Sequence, residues 1–514
     1  MKATVGIYQI SQNDCGVVYN YTMAKFYITN SIPYVNAKPH IGHTLEFVES
    51  DVINRYHRIR GDETLYLCGS DENALKNVQA AQAAGEEVQV FVDKNAQAFE
   101  ELAKLLNVHF DVFQKGSDAK HHAASQRLWK LCDKAGDIYK KTYKGLYCVG
   151  CETFYTKTEI DEKGECFEHP GKKLDEVEEE NYFFKLSKYQ DRLLQLIESD
   201  EYEIVPEFRK NEIISFARRG LADFSISRTN ERAKNWGVPV PNDPSQRIYV
   251  WFDALNIYQS GIGFDSDETL YNKWWPADLH VIGKGIIRFH AVYWPAILLS
   301  AGLKLPKKLF VHEYFTVNGQ KMSKTIGNVY DPMPLLQQYG ADPLRYFCLA
   351  KISPFQDGDF SEEKFKESYN ADLANGLGNL VARVAKLCET SGYTHMGTKT
   401  HESFHLIEIE QYSQALEEFR FNDALSFVWS KIGELDKYIN EEKPWELLKT
   451  NDSPRLRSGE AGQRLKAILA HVVDQIQEIA VLLEPFLPET AEKIEKQFRG
   501  PQIKTQESLF PRIQ

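Results

Sequence analysis

Apolar and polar positions first fall into a regular pattern at Phe26-Tyr27-Ile28-Thr29, a short strand-like run broken by Asn30-Ser31-Ile32-Pro33. From Ile41 the period lengthens. Leu45, Val48, Val52 and Tyr56 stand three or four apart, which predicts a helix with one buried face, ending at Gly61. Leu65-Tyr66-Leu67-Cys68 then reads as a buried strand that opens into Gly69-Ser70-Asp71-Glu72. Strand, helix and strand in this order predict a parallel sheet with ligands at the strands' carboxyl ends.

From about 118 to 245 the pattern breaks. This interval holds a Cys/His cluster, an acidic stretch at Asp175–Glu180 and a turn-rich exit, Trp236-Gly-Val-Pro-Val-Pro. It reads as an insertion that splits the sheet domain. Alternation resumes with Ile248-Tyr-Val-Trp-Phe and Leu279-His-Val-Ile as strands, then a helix from Ile286 through Leu299. Lys308-Leu-Phe-Val-His leads to Asn318-Gly319, a hairpin tip. Beyond about 370 helix formers dominate, and a C-terminal helical bundle is expected.

A chain of 514 residues is too long for one core, so three or more packed units are expected. Hydrophobic residues at 43% and charged residues at 26% suit a soluble globular protein, and no apolar run is long enough to span a bilayer. The opening residues lack a basic segment followed by an apolar one, so no secretory signal is expected. They read as a short extension, with Met23 a possible start, and a cytoplasmic protein is expected. Eight cysteines do not suggest a disulfide scaffold. Cys68, Cys132, Cys348 and Cys388 read as small buried apolar residues. A net charge of −12 confines any nucleic-acid contact to a local basic patch.

Three motifs carry chemistry. Pro39-His40-Ile41-Gly42-His43 sits between strand and helix, where a helix N-terminus offers N–H groups to an anion. Gly42 leaves room for a flat base, and the imidazoles of His40 and His43 can donate to phosphate oxygens. Lys321-Met322-Ser323-Lys324-Thr325 follows the hairpin tip, and its two lysines can clamp a polyphosphate. Cys148-x-x-Cys151 and Cys166-x-x-His169 form two chelate arms fit for one structural, tetrahedral zinc ion. Singly, each has a plain alternative: surface histidines, a solvated basic turn, incidental thiols.

The first two motifs together resemble those of class I aminoacyl-tRNA synthetases, and the detail around both is similar to the methionyl-tRNA synthetase family. The resemblance runs from about residue 25 to the end. It includes Gly220-Leu-Ala-Asp-Phe-Ser-Ile-Ser-Arg228, Trp236-Gly-Val-Pro, Tyr249-Val-Trp-Phe-Asp-Ala254, Ile282-Gly-Lys and Phe289-His-Ala-Val-Tyr-Trp-Pro295. It implies an α/β fold: a Rossmann-like catalytic domain (25–117 and 246–317) split by a zinc-bearing connective insertion (118–245). A loop and stem-contact region (318–369) and an α-helical anticodon-binding domain (370–514) follow, and residues 1–24 form an extension.

The activity implied is ATP-dependent activation of L-methionine, with Mg2+ on the phosphates, and its transfer to tRNA(Met). By the same resemblance His40, His43, Lys321 and Lys324 act in catalysis and bind ATP together with Gly42, Lys284, Met322 and Ser323. Asp71 holds the methionine α-ammonium. Ile32, Tyr34, Trp251, Ala254, Leu255, Tyr258, Ile286 and His290 line the side-chain pocket, whose aromatic and aliphatic walls suit a thioether. Asn379, Arg383 and Trp445 contact anticodon bases.

Two positions depart from the family pattern. Asn73-Ala74 replaces a His-Gly pair, and Gly285 stands after Lys284 where an acid is usual. The alternatives are a class I synthetase for isoleucine, leucine, valine or cysteine, a non-catalytic tRNA-binding relative, and a nucleotidylyltransferase. The short insertion and the closed metal site weigh against the other synthetases, the retained motifs, Asp71 and pocket against a non-catalytic relative, and the long helical domain against a nucleotidylyltransferase. A monomer is expected.

Overall fold

The computed structural model describes residues 24–148, 153–155, 160–166, 173–322, 327–395, 409–449 and 459–513. The N-terminal extension, Cys151, His169, Ser323 and Lys324 lie outside them.

Strand β1 (Lys25–Asn30), helix α1 (Ile41–Ile59), β2 (Glu63–Ser70) and β3 (Val112–Lys115) build the first half of a parallel sheet, with β1 paired to β2 and β2 to β3. Leu65 to Cys68 are buried, as a strand covered on both faces requires. Helix α1 buries the predicted stripe but also Glu46, Glu49, Ser50, Asp51 and Asn54. The helix Ala341–Ala350 packs on its other side.

The interval 118–245 is not one continuous excursion. Its first helix, Ala119–Lys134, buries Ala124, Leu128 and Cys132 in the same apolar cluster as Leu67 and Phe252. Then β4 (Ile138–Cys148), β5 (Thr153–Tyr155) and β6 (Asp175–Phe184) form an antiparallel sheet. The acidic run belongs to β6, where Glu178 faces Lys144 across the ladder. After it β7 (Glu203–Val205) returns to the main sheet, parallel to a strand more than a hundred residues later. Strand β8 (Phe224–Ser225) adds to β6, and β9 (Ser227–Thr229), β10 (Pro239–Val240) and β11 (Asp243–Ile248) make a three-stranded sheet.

Strand β11 stops at Ile248. Tyr249-Val-Trp-Phe, expected to continue it, instead leads into a helix, Val250–Ala254. A short run that is apolar throughout suits a buried strand or a buried helix equally, and only its neighbours decide. Strands β12 (Leu279–Gly283) and β13 (Lys308–His312) complete the main sheet in the order β3-β2-β1-β12-β13-β7, all parallel. Strand order reverses between β1 and β12, and this leaves a crevice at their carboxyl ends. The expected 286–299 helix is present, with a wide π turn at Phe289–Tyr293 ahead of Trp294–Ser300.

Asn318 and Gly319, at φ 51° and 75°, turn the hairpin of β14 (Phe315–Val317) and β15 (Gln320–Lys321). Strand β14 also pairs with β16 (Gly358–Phe360). Helices 379–391, 410–417, 421–442, 460–483 and 488–498 follow. Among the described residues no helix is long and apolar enough to cross a membrane.

Candidate active site

The crevice begins at the tip of α1. His40 is the N-cap: its Nδ1 accepts from Gly42 N–H at 3.1 Å, and His43 Nδ1 accepts from His40 N–H at 3.1 Å. Each Nδ1 uses its lone pair, so each neutral ring carries its proton on Nε2, the nitrogen suited to donate to a phosphate. The helix amides are used internally as well. Ile41 N–H donates to Tyr330 O at 3.0 Å, and His43 N–H to His40 O at 2.9 Å. The expectation that bare amides face an anion therefore shifts to the imidazoles.

Met322, the last described residue ahead of the basic turn, lies over this tip. A methyl at Gly42 would meet His40 Cε1 at 3.0 Å and Met322 Cε at 3.4 Å. Lys321 continues the hairpin through its backbone in β15. Met322 and Tyr330 both lie against the start of α1, so the described residues on either side of the basic turn reach the His40–His43 motif.

Beneath them, His312 Nδ1 donates to Glu313 O at 2.8 Å and Nε2 lies 3.0 Å from Glu46 Oε2. Burial lowers the basicity of His312, but the Glu46 hydrogen bond and the charges of Glu49 and Glu46 lift it to about 9. Glu46 in turn accepts from Ser31 N–H at 2.9 Å and so holds the β1–α1 loop. A histidine raised from 6.5 in this way stabilises the fold fully below pH 6.5, and the contribution is lost as pH rises through 9. His312→Gln is therefore expected to flatten the fall in denaturation midpoint between pH 6.5 and 9, a slope worth on the order of 3 kcal/mol. Unchanged slopes in urea titrations at both pH values would refute the pair.

On the other flank, Asp71 directly follows β2 and forms an isolated parallel bridge with Tyr34. Ile32, Tyr34 and Ile286 are partly buried, while Trp251, Ala254, Leu255, Tyr258 and His290 are buried. Trp251 stacks on Phe289 at 3.8 Å and meets Tyr34 edge-on at 6.1 Å. His290 Nδ1 donates to Ile286 O at 3.1 Å, so its Nε2 accepts the Tyr258 hydroxyl proton at 2.8 Å. Burial depresses His290 to about 4, which keeps the ring neutral. A thioether there meets a neutral wall.

The profile of the family described as tRNA synthetases class I (M) matches residues 26–385. The methionine–tRNA ligase of Thermotoga maritima is 41% identical over 481 residues, covering 91% of this chain and 74% of the relative. The chain belongs to the methionyl-tRNA synthetase family. The Rhizobium meliloti ligase is also 41% identical, with 91% and 90% covered. The Mycobacterium tuberculosis methionyl-tRNA synthetase in complex with methionyl-adenylate superposes with a TM-score of 0.87 at 37% identity, covering 95% of this chain and all of that one. As a class I synthetase the chain is an aminoacyl-tRNA ligase that uses ATP.

The two departures from the synthetase pattern now have places. Asn73 Nδ2 donates to Gly116 O at 2.8 Å and to buried Asp253 at 2.6 Å. Asp253 also takes Ser125 Oγ–H at 2.7 Å and lies 2.9 Å from His121 Nε2. Gly285 N–H donates to Tyr314 Oη at 2.7 Å, and a methyl at Gly285 would meet that oxygen at 2.3 Å. Tyr314 thus occupies the space an acidic side chain would need. Lys284 finds its acids elsewhere, at Glu313 (2.7 Å) and Asp357 (2.6 Å). Sequence reasoning gave Phe289 and Asp253 no role, although both stand in stretches that carry the resemblance, and Tyr314 left no local signal.

Cys148 and Cys166 are buried, with their sulfurs 3.3 Å apart. That is far beyond a disulfide bond and close to the roughly 3.8 Å spanned by two thiolates on one tetrahedral zinc. These two donors fit a metal; among the described residues no third one joins them. In the helical region the Arg383 guanidinium lies 4.9 Å from the Trp445 ring and bonds Asp436 (2.9 Å) and Asn440 (2.6 Å). Asn379 is exposed one turn before Arg383.

Proposed function

We propose that the chain activates L-methionine with ATP and ligates it to the 3′ end of tRNA(Met). The observation that carries this reading is the convergence of Met322 and Tyr330 on the tip of α1, beside the pocket that runs from Asp71 to His290. In the first step a methionine carboxylate oxygen attacks the α-phosphorus in line, and the bond to the β-phosphate breaks. His40, His43, Lys321 and Lys324, with Lys284, Gly42, Met322 and Ser323 around the nucleotide, stabilise charge on the departing pyrophosphate. Mg2+ neutralises phosphate charge when bound. In the second step a ribose hydroxyl of the tRNA attacks the adenylate carbonyl and AMP leaves. Asp71 fixes the α-ammonium, and the neutral Trp251–Tyr258–His290 wall selects the side chain. Asn379, Arg383 and Trp445 read the anticodon, as arginine and aromatic faces do with splayed bases.

Pyrophosphate exchange across methionine, isoleucine, leucine, valine and cysteine tests the reading. Methionine alone should drive it at low concentration, and preference for another amino acid would refute it.

In our reading one zinc ion sits on Cys148, Cys151, Cys166 and His169 and has a structural role. Cys148 and Cys151 are expected to resist alkylation until a strong chelator is added. Equal labelling before and after chelation, read by mass spectrometry, would exclude the metal. We also place the enzyme in the cytoplasm as a monomer, which a concentration-independent dimer in sedimentation would contradict.

A further inference from the structure

The helix that carries His290 is irregular where His290 sits. Phe289–Tyr293 forms a wide π turn directly ahead of Trp294–Ser300. Pro295 supplies the cause. A proline inside a helix has no N–H to give, and its ring collides with the carbonyl four residues back, here that of Ala291. The backbone relieves the collision by opening the preceding turn. Trp294 N–H accordingly passes over His290 and donates to Phe289 O, five residues back.

The His290 carbonyl is thereby taken out of the helix's own ladder. At a four-residue step its partner is Trp294 N–H, which is given to Phe289 O. At a five-residue step it faces Pro295, which has no N–H. A buried carbonyl left without a donor is costly. His290 O instead accepts from a side chain 88 residues away, Tyr202 Oη, at 2.9 Å.

Tyr202 is held firmly enough to fix that carbonyl. It directly precedes β7 and is completely buried. Its N–H donates to Leu196 O at 3.0 Å, at the end of the helix Gln190–Glu198 in the inserted interval. The next N–H, that of Glu203, donates to Lys307 O at 3.1 Å, beside the edge of the main sheet. Burial pushes the Tyr202 phenol up, so the hydroxyl keeps its proton and donates it. On the other side of the open turn, the His290 ring is wired at both nitrogens, to Ile286 O and to the Tyr258 hydroxyl. Phe289 beside it stacks on Trp251.

We propose that Tyr202 is a positioning residue for methionine: by taking up the His290 carbonyl it holds the open turn in register and keeps the His290 ring in the pocket wall. The proposal rests on the ligase reading above, in which that wall selects the thioether.

The test is Tyr202→Phe in the full-length chain, alone and combined with His290→Ala. Phenylalanine keeps the buried ring and deletes the hydroxyl. With His290 in place, the KM for methionine in pyrophosphate exchange should rise about tenfold, while the KM for ATP and kcat stay within about twofold of wild type. His290→Ala removes the ring that Tyr202 places but leaves the carbonyl that it bonds. In that background Tyr202→Phe should change the methionine KM by less than about twofold, yet lower the thermal midpoint as it does alone. Methionine Kd from tryptophan fluorescence needs no turnover and gives the same comparison where exchange is slow. A methionine constant raised by the same factor in both backgrounds would show that Tyr202 does not act through the His290 ring, and would overturn the proposal. An unchanged KM in the single variant would do the same. If both KM values rise together as the midpoint falls, Tyr202 is a general packing residue and the proposal fails. If the wild-type chain gives no methionine-dependent exchange, the ligase reading itself falls, and this proposal with it.

Discussion

Replacing Asp71 by Asn is expected to raise the KM for methionine about 30- to 3000-fold while the KM for ATP stays within about threefold. Asp71 is 2% exposed, so a carboxylate facing an ammonium there is little screened by water. Its backbone is fixed on both sides: its N–H donates to Pro33 O at 2.9 Å, and its carbonyl accepts from Asn77 Nδ2 at 2.8 Å. The amide substitution keeps the shape and deletes the charge. Losing one partner of a desolvated charge pair costs about 2–5 kcal/mol, and each 1.4 kcal/mol is a factor of ten. Exchange kinetics with methionine and ATP varied in turn separate the two constants. A methionine KM within threefold of wild type would remove Asp71 from the pocket.

The second large effect concerns stability. Arg345 is completely buried and ties three parts of the chain together. It pairs with Asp51 of α1 at 2.8 Å and donates to Phe486 O at 2.7 Å, Pro485 O at 2.9 Å and Leu106 O at 3.2 Å. Arg345→Met should lower the unfolding free energy by about 3–5 kcal/mol, because it strands Asp51 and three carbonyls away from water. Arg55, 2.7 Å from Asp51, offsets part of the charge. The double variant Asp51→Asn with Arg345→Met should lose less than the two single losses combined. Additive losses in urea unfolding would show that the pair is uncoupled. The same residue connects α1, whose N-cap is His40, to the Pro485–Phe486 turn of the C-terminal region.

Sheet order and helix burial show where local pattern stops being informative. The stripe Leu45, Val48, Val52 and Tyr56 announced one buried face of α1, but the second face carries Glu46, Glu49 and Asp51 and looks solvated in sequence. It is buried because the helix 341–350 covers it and because Arg345 and His312 neutralise its acids. Strand β7 has three residues, too few to stand out in an acidic interval, and its pairing with β13 fixes the edge of the sheet. Ile248–Phe252 was ambiguous for the opposite reason: everything in it is apolar.

What the sequence determined by itself was the short-range chemistry. It set the strand–helix–strand start, the Asn318-Gly319 hairpin, the order of the His40–His43 and Lys321–Thr325 motifs, the spacing of the Cys/His cluster and the residue types that suit a thioether. These follow from neighbours a few positions apart, where backbone geometry limits the options. Tertiary structure alone decided that Glu46 meets His312 across 266 residues, that Tyr314 fills the space beside Gly285, and that Arg228 faces Arg247. Such contacts arise when the sheet closes and helices pack on it. Their energies come from desolvation and charge pairing between distant segments, which leave no periodicity in the chain.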